Sequence, residues 1–376
     1  MSSGIYIHVP FCRRRCRYCD FYISTNQKLT GSFTEALINE IGMFSAANGR
    51  KKIDSVFFGG GTPSLLDKKQ LESILNALRK SFDVSEDTEI TLECNPEDIS
   101  GDENMAKDFH DCGINRLSIG AQSFNDEELK FLTREHNACD SEKSVINAMK
   151  HIGNVSVDLI YSIPGQTAEK LLRNLEKAKS LNVPHVSAYT LIFEKGTLLY
   201  KQMSSGKVSQ NSDETESVLY STVNDYLKPN GYVHYEVSNY AMPGFESRHN
   251  LKYWNFGDYI GFGPSAHSFF ERKRWNNVYS VSDYIRIISE GKLPSANVET
   301  QTDEMLVKDY FICTLRSKGV DMIEFNKMSG RNFEFEYRKE ISDNLLLGNA
   351  VIEKGFFRLT EKGYALADSI TLEFLR

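Results

Sequence analysis

Six short runs rich in β-branched and aromatic residues recur along the first 190 residues, separated by amphipathic stretches. The runs are GIYIHV (4–9), SVFFGG (55–60), EITLEC (89–94), RLSIGA (116–121), VSVDLIYS (155–162) and HVSAYTLI (185–192). Such alternation of strand and helix predicts a parallel sheet with right-handed crossovers and with helices packed outside it. Six units fall short of the eight that close a barrel. The sequence therefore predicts an α/β fold, an open (β/α)6 partial TIM barrel.

Two of the amphipathic stretches give specific helix predictions. SFTEALINEIGMF opens with the capping-box pattern Ser32-x-x-Glu35, which predicts a helix start at the serine. DKKQLESILNALRKSF carries four aliphatic residues at helical spacing, and we expect this face to be buried. These four residues are Leu71, Ile74, Leu75 and Leu78.

The pattern changes after residue 200. YVHYEVSNYAMPG predicts one more strand, and residues 245–280 are rich in Gly, His, Asn and aromatic residues with little periodicity. From about residue 300 the chain is mainly helical and ends in a short hairpin, an order that resembles a winged helix. We therefore expect a core over residues 1–235, a connecting segment over 236–299 and a C-terminal, mainly helical, winged-helix-like domain over 300–376.

Charge and hydropathy exclude some classes of protein. The chain has 44 basic and 51 acidic residues, a net charge of −7, which argues against a general nucleic-acid binder. The first residues lack the pattern of a signal peptide, and no apolar run approaches the ~20 residues that cross a bilayer. We therefore expect a cytoplasmic protein whose thiols are reduced.

Three of the seven cysteines follow directly on the first predicted strand, as Cys12-x3-Cys16-x2-Cys19. In a reducing compartment, clustered thiols favour metal or redox chemistry over disulfides. Three thiolates from one loop suit an iron–sulfur cluster, and a cubane held by three cysteines leaves one iron open to a small ligand. A zinc site completed by a distant residue, or three unrelated buried cysteines, are the alternatives.

The cysteine loop resembles the C-x3-C-x2-C signature of the radical S-adenosylmethionine (SAM) superfamily, and Tyr18 matches its usual aromatic residue. The resemblance implies a [4Fe-4S] cluster on Cys12, Cys16 and Cys19, with SAM chelated by the open iron and cleaved to a 5′-deoxyadenosyl radical. Four arginines share this loop and would offset the cluster's charge, dock an acidic electron donor, or simply be solvated. They are Arg13, Arg14, Arg15 and Arg17.

Polar and glycine residues at the ends of the predicted strands suit a SAM pocket. FFGGGTPSLL (57–66) resembles the superfamily's GGE-like motif, which contacts the SAM amino group; the matching residues are Gly60, Gly61 and Thr62. Carboxylates suit ribose hydroxyls and an arginine suits a carboxylate. The expected groups of this kind at one barrel mouth are Glu93, Gln122, Arg134 and Asp158.

These motifs resemble one branch, the oxygen-independent coproporphyrinogen III oxidases and their relatives. The resemblance implies that Tyr6 of YIHVPFC contacts the SAM beside the cluster. It also implies that a second SAM contacts Tyr18, Gln122, Arg134 and Asp158. Two departures argue against porphyrinogen decarboxylation: the oxidase has a fourth cysteine where Phe21 stands, and it carries an N-terminal extension before the first strand, which here begins at about residue 4.

A further motif, His249-Asn250-x-x-Tyr253-Trp254, resembles the H-N-x-x-Y-W motif of the HemW-type haem chaperones. An imidazole can bind haem iron while aromatic rings flank the macrocycle, so His249 is the predicted iron ligand, with the other three as haem contacts. His267 is a weaker second candidate. A single histidine is more often a hydrogen-bonded core or loop residue.

The favoured function is therefore a haem chaperone that delivers haem to haemoproteins such as membrane respiratory cytochromes, and that keeps a cluster and a SAM site. The expected partners are haem, the recipient proteins and a reductant such as flavodoxin or ferredoxin; delivery to membrane proteins is compatible with peripheral membrane association. The alternative is an oxygen-independent coproporphyrinogen III dehydrogenase. A third class is a radical SAM enzyme acting on an unrelated substrate. Whether the chain is an enzyme, and its oligomeric state, stay open.

Overall fold

The barrel is formed by six parallel strands in chain order. The computed structural model describes residues 2–375. The strands are β1 (Ser3–Val9), β2 (Lys52–Gly60), β3 (Asp83–Cys94), β4 (Arg116–Gln122), β5 (Val155–Tyr161) and β6 (His185–Thr190). Each pairs in parallel with the next, so all six predicted strands and the predicted sheet are confirmed.

Helices connect these strands. They are α1 (Thr30–Asn48), α2 (Lys68–Ser81), α3 (Pro96–Ser100), α4 (Met105–Cys112), α5 (Asp126–Leu132), α6 (Ala138–Met149) and α7 (Ala168–Ser180). In α2 the four predicted residues are the buried ones, and Asp67 caps the helix by accepting from the Gln70 N–H. Helix α1 differs from its prediction. It begins at Thr30, after a 3-10 turn over Gln27–Leu29 and without a side-chain cap, so the predicted capping box at Ser32 is wrong.

Side chains alternate between the two faces of each strand. In β4, Leu117 and Ile119 pack in the apolar core under the helices, whereas Arg116 and Ser118 face the barrel interior. The same alternation recurs in β5, where Asp158 lies between Val157 and Leu159 of the core. The interior of the barrel is therefore polar, with Arg116 buried and Asp158 half-buried at the cavity.

Residues 200–300 extend this sheet at both edges instead of connecting two bodies. The helices here are α8 (Leu198–Ser204), α9 (Asp213–Leu227), α10 (Arg248–Trp254) and α11 (Val281–Ser289). The strands are β7 (Val233–Glu236), β8 (Asn239–Ala241), β9 (Tyr259–Phe262), β10 (His267–Phe270), β11 (Lys273–Asn277) and β12 (Ser295–Thr300). The single strand predicted near residue 235 is in fact the hairpin β7–β8, which pairs with β6, while β9 pairs in parallel with β1.

The C-terminal region has a second core. Its helices are α12 (Asp303–Thr314), α13 (Met322–Ser329), α14 (Phe333–Glu336), α15 (Arg338–Leu346), α16 (Glu361–Tyr364) and α17 (Ala367–Phe374), and its strands are β13 (Val320–Asp321), β14 (Ala350–Glu353) and β15 (Phe356–Leu359). Stacked aromatic rings fill this core, including Phe311, Phe325 and Phe333. The hairpin β14–β15 follows the helices as the winged-helix pattern predicts, but the chain does not end there, because α16 and α17 come after it. Within residues 2–375 no helix combines the length and apolarity that a membrane span requires.

Candidate cofactor site at the carboxyl end of the barrel

The cysteine loop is fastened to the glycine-rich end of β2. The Gly61 N–H donates to the carbonyl of Val9 (2.8 Å), and the Thr62 N–H donates to the carbonyl of Phe11 (2.7 Å). A Cβ at position 61 would lie 2.6 Å from the Phe11 carbonyl oxygen, so only glycine allows this approach. The glycine predicted as a SAM contact therefore also fixes the path of the cysteine loop.

Cys12, Cys16 and Cys19 lie together at the carboxyl end of the barrel and are half-buried. Burial raises the pKa of the Cys12 thiol and raises that of Cys19 to about 11. Within residues 2–375, no three His, Cys, Asp or Glu side chains are grouped as ligands of a single metal ion. An iron–sulfur cluster does not require three ligands around a single ion, because each thiolate binds a separate iron atom. The positive charge of the iron atoms stabilises the thiolate form of each cysteine.

Three side chains connect two of these thiols by hydrogen bonds, and we call Thr62, Asn95 and Arg134 the hydrogen-bond arc. The Thr62 hydroxyl donates to Cys12 Sγ at 3.4 Å, and Asn95 Nδ2 donates to the same hydroxyl at 3.3 Å. Arg134 then donates from Nη2 to Asn95 Oδ1 at 2.6 Å and from Nη1 to Cys16 Sγ at 3.5 Å. Thr62 is buried and Asn95 and Arg134 are half-buried, so solvent has limited access to these donors.

A cavity of about 510 Å³ opens between the cysteine loop and the carboxyl ends of the strands. It brings together most of the predicted cofactor residues, namely Cys12, Cys16, Tyr18, Cys19, Gly61, Thr62, Glu93, Gln122, Arg134 and Asp158. Two of the residues predicted to contact SAM are not among its lining. Tyr6 is stacked on Phe57 with its hydroxyl 3.3 Å from His8 Nδ1, and Gly60 donates its N–H to Glu93 Oε2 at 3.2 Å.

Two carboxyl groups share the floor of this cavity. Burial, and then the charge of Asp158, raise the pKa of Glu93 to about 8. Burial also raises the pKa of Asp158, against the hydrogen bonds that the Ser118 hydroxyl donates at 3.0 and 3.1 Å. Near neutral pH the floor therefore holds a proton on Glu93, which makes this carboxyl both a hydrogen-bond donor and an acceptor.

A polar network below the floor was missed by the sequence analysis. His185 bonds through Nδ1 to the Ser156 hydroxyl and through Nε2 to the Tyr235 hydroxyl, both at 2.8 Å, and burial lowers its pKa. Arg116 is only 2% exposed beside this network. Polar residues at every second strand position (116 and 118, 156 and 158, 185 and 187) are a signal that predicts such an interior. Asn95 is also absent from the predicted site residues, although it lies two residues after Glu93 and directly before Pro96, which begins α3.

His249 lies at the opposite end of the barrel. Helix α10 crosses the amino-terminal halves of β1–β3, and the Glu89 carboxylate accepts from the N–H groups of Arg248 and His249 at its start. His249 is 1% exposed; its Nδ1 lies 3.0 Å from the Ser55 hydroxyl and its Nε2 lies 2.8 Å from the Tyr253 hydroxyl. Burial lowers its pKa to about 3.

The other residues of the motif share this position. Tyr253 packs edge-on against the His249 ring, and Asn250 and Trp254 are half-buried on the same helix. His267 is exposed at the start of β10. None of these residues lines the cavity that holds the cysteines. In this arrangement both ring nitrogens of His249 are engaged and the ring is buried, so haem ligation through it requires at least one of these hydrogen bonds to break and the ring to become accessible.

The chain is similar to known radical SAM proteins over most of its length. The family model described as the radical SAM superfamily matches residues 6–178. The haem chaperone HemW of Lactococcus lactis is 34% identical, over 99% of this chain and 97% of its own length. HemW of Bacillus subtilis is 33% identical, over 99% of both chains.

This chain belongs to the HemW family of radical SAM proteins. A zebrafish relative, the mitochondrial radical S-adenosyl methionine domain-containing protein 1, is 39% identical over 72% of this chain and 61% of its own length. The structure of the coproporphyrinogen III oxidase HemN from Escherichia coli superposes with a TM-score of 0.85, covering 99% of this chain and 90% of that one. At 22% identity this likeness supports the fold alone. The [4Fe-4S] cluster and SAM are the cofactors of the radical SAM family, and the three thiols, the hydrogen-bond arc and the cavity beside them suit these cofactors.

Proposed function

We propose that this protein is a haem chaperone of the HemW family, which binds haem and passes it to recipient haemoproteins. The observation that carries the proposal is the full-length similarity to proteins named HemW haem chaperones, which extends through the C-terminal domain as well as the barrel. Phe21 is exposed and stands where the oxidase has a cysteine, which supports the haem chaperone over the oxidase.

We assign the cluster to Cys12, Cys16 and Cys19, with SAM occupying the cavity beside them. When bound, the iron–sulfur cluster would supply the electron for a one-electron cleavage of SAM. Beside it, Gly61 allows the close approach of the cysteine loop to the end of β2. Asp158 and the protonated Glu93 are placed to bond hydroxyl groups.

The proposal can be tested on the anaerobically reconstituted protein. Haem titration followed by absorbance should show saturable binding, and haem-loaded protein should transfer haem to an apocytochrome added in excess. Absence of saturable haem binding would refute the chaperone function. A parallel assay with coproporphyrinogen III, SAM and dithionite should yield no protoporphyrinogen, and its formation would establish the oxidase instead.

A further inference from the structure

We propose that haem binds at the mouth of the cysteine-lined cavity, on the surface formed by Phe21, Tyr189, Ile192 and Arg15, and not on helix α10. This inference rests on the proposed haem-chaperone function and places its ligand. We call these four residues the mouth surface.

The apolar part of the mouth surface is exposed without an apparent packing role. Phe21 is 58% exposed, Ile192 is 62% exposed and Tyr189 is 41% exposed, and all three line the same cavity as the cluster cysteines. They come from separate parts of the chain, the cysteine loop and the end of β6, yet meet at one opening. Large apolar side chains gathered at the opening of a cavity are typical of a binding site for an apolar ligand.

Carboxylates such as Asp20 and Glu194 line the cavity as well as arginines, and among these charged groups Arg15 suits the anionic part of an apolar ligand. Arg15 donates from Nη2 to the carbonyl of Phe21 at 3.1 Å, which places its guanidinium beside the backbone of that residue. Its neighbours Arg13 and Arg14 instead pair with the carboxylates of Asp98 and Glu135. Haem carries two propionates on an apolar macrocycle, and an arginine binds a carboxylate through two parallel hydrogen bonds. The mouth surface therefore offers a partner to both parts of haem.

At the α10 end of the barrel, the neighbours of His249 enclose it. His249 is held by Ser55 and Tyr253 and is stacked on Phe57 with ring centroids 5.2 Å apart, so no space for a macrocycle adjoins it. The side chains that line the cavity include no histidine. Haem at the mouth would thus be held through its ring and propionates, with its iron open to a ligand from the recipient. Such binding allows release without opening the barrel.

Haem titration of four proteins tests this placement: the wild type, the double variant Phe21→Glu/Ile192→Glu, Leu346→Glu and His249→Phe. Leu346 is 87% exposed on α15, so its variant controls for an added surface carboxylate. We expect about tenfold weaker binding in the double variant, because the macrocycle would be placed against two charges, with unchanged affinity in Leu346→Glu and an unchanged absorption spectrum of bound haem in both Leu346→Glu and His249→Phe. Wild-type affinity in the double variant would overturn the placement, as would an altered absorption spectrum of the haem bound to a folded His249→Phe protein. Failure of the wild type to bind haem would instead refute the proposed function.

A second titration tests the arginine. Arg15→Gln should weaken the binding of haem but leave the binding of haem dimethyl ester unchanged, because the ester has no carboxylate to pair. Equal weakening of both ligands, or of neither, would remove Arg15 from the mouth surface. The exposed position of Arg15 makes it tolerant of this change.

Discussion

The hydrogen-bond arc gives the sharpest prediction about the cluster. Replacing Thr62 by valine keeps the shape of a side chain that is 3% exposed and removes the hydroxyl that donates to Cys12 Sγ. It also takes away the acceptor of Asn95 Nδ2. We expect a cluster with a more negative reduction potential, because hydrogen bonds to the sulfurs stabilise the reduced, more anionic state.

The magnitude follows from the strength of one such bond. A hydrogen bond to a charged group contributes about 1.5–3 kcal/mol in all, and we take about 1 kcal/mol of this as the difference between the two oxidation states. A tenfold change in a one-electron equilibrium corresponds to about 59 mV, or about 1.4 kcal/mol. The expected shift is therefore about 40 mV, and the unpaired Asn95 amide should lower the free energy of unfolding by about 1–3 kcal/mol.

The assay is a redox titration of the reconstituted protein, followed by electron paramagnetic resonance. Thr62→Ser is the matched control, since it keeps the hydroxyl and should hold the wild-type potential. An unchanged potential in the valine variant would refute the role of this bond, and an equal shift in the serine variant would assign the effect to packing instead.

Three further predictions concern the frame around the site. Gly61→Ala should reduce the iron content of the reconstituted protein severely, since its Cβ would lie 2.6 Å from the Phe11 carbonyl oxygen that helps to fix the cysteine loop; iron and sulfide assays check this. His249→Ala should lower the free energy of unfolding in urea by about 2–4 kcal/mol, through a cavity and an unpaired Ser55 hydroxyl. Burial raises the pKa of Glu40 from 4.5 to about 7, so the contribution of this carboxyl group to folding stability is fully present below about pH 4.5 and is lost as pH rises through 7. In urea unfolding, this group should make the protein about 3 kcal/mol less stable at pH 8 than at pH 4.5. The Glu40→Gln variant should not show this difference.

Strands could be predicted from sequence because their signal is local. Each β-branched run becomes a strand, and the apolar half of its alternation packs under the helices, as Leu117 and Ile119 do. The start of α1 could not be predicted in the same way. The capping-box pattern at Ser32 lies inside a helix whose first turn continues from the 3-10 turn before it, and this continuity outweighs the side-chain cap.

In the candidate site, too, the residues with a local sequence signal could be predicted and those without one could not. The spacing of Cys12, Cys16 and Cys19 is contained in one loop, and the strand ends follow from the strand prediction, so the cavity could be assembled from the sequence. Asn95 has no such local signature, because its partners Thr62 and Arg134 lie 33 and 39 residues away along the chain. The residues that contact His249 are even farther from it along the sequence, since Ser55 is 194 residues away.

The two ends of the barrel are joined by a column of rings. Tyr6 lies 6.2 Å from Phe57 and 6.4 Å from His249 between ring centroids, and its hydroxyl faces His8 towards the cysteine loop. A change in α10 can therefore reach the cofactor end through Tyr6 without any ligand on His249. Weaker haem binding in a His249 variant would not by itself identify an iron ligand. The absorption spectrum of the bound haem distinguishes loss of an iron ligand from displacement of the mouth surface. Loss of a ligand alters the absorption bands, whereas displacement of the mouth surface alters only the affinity.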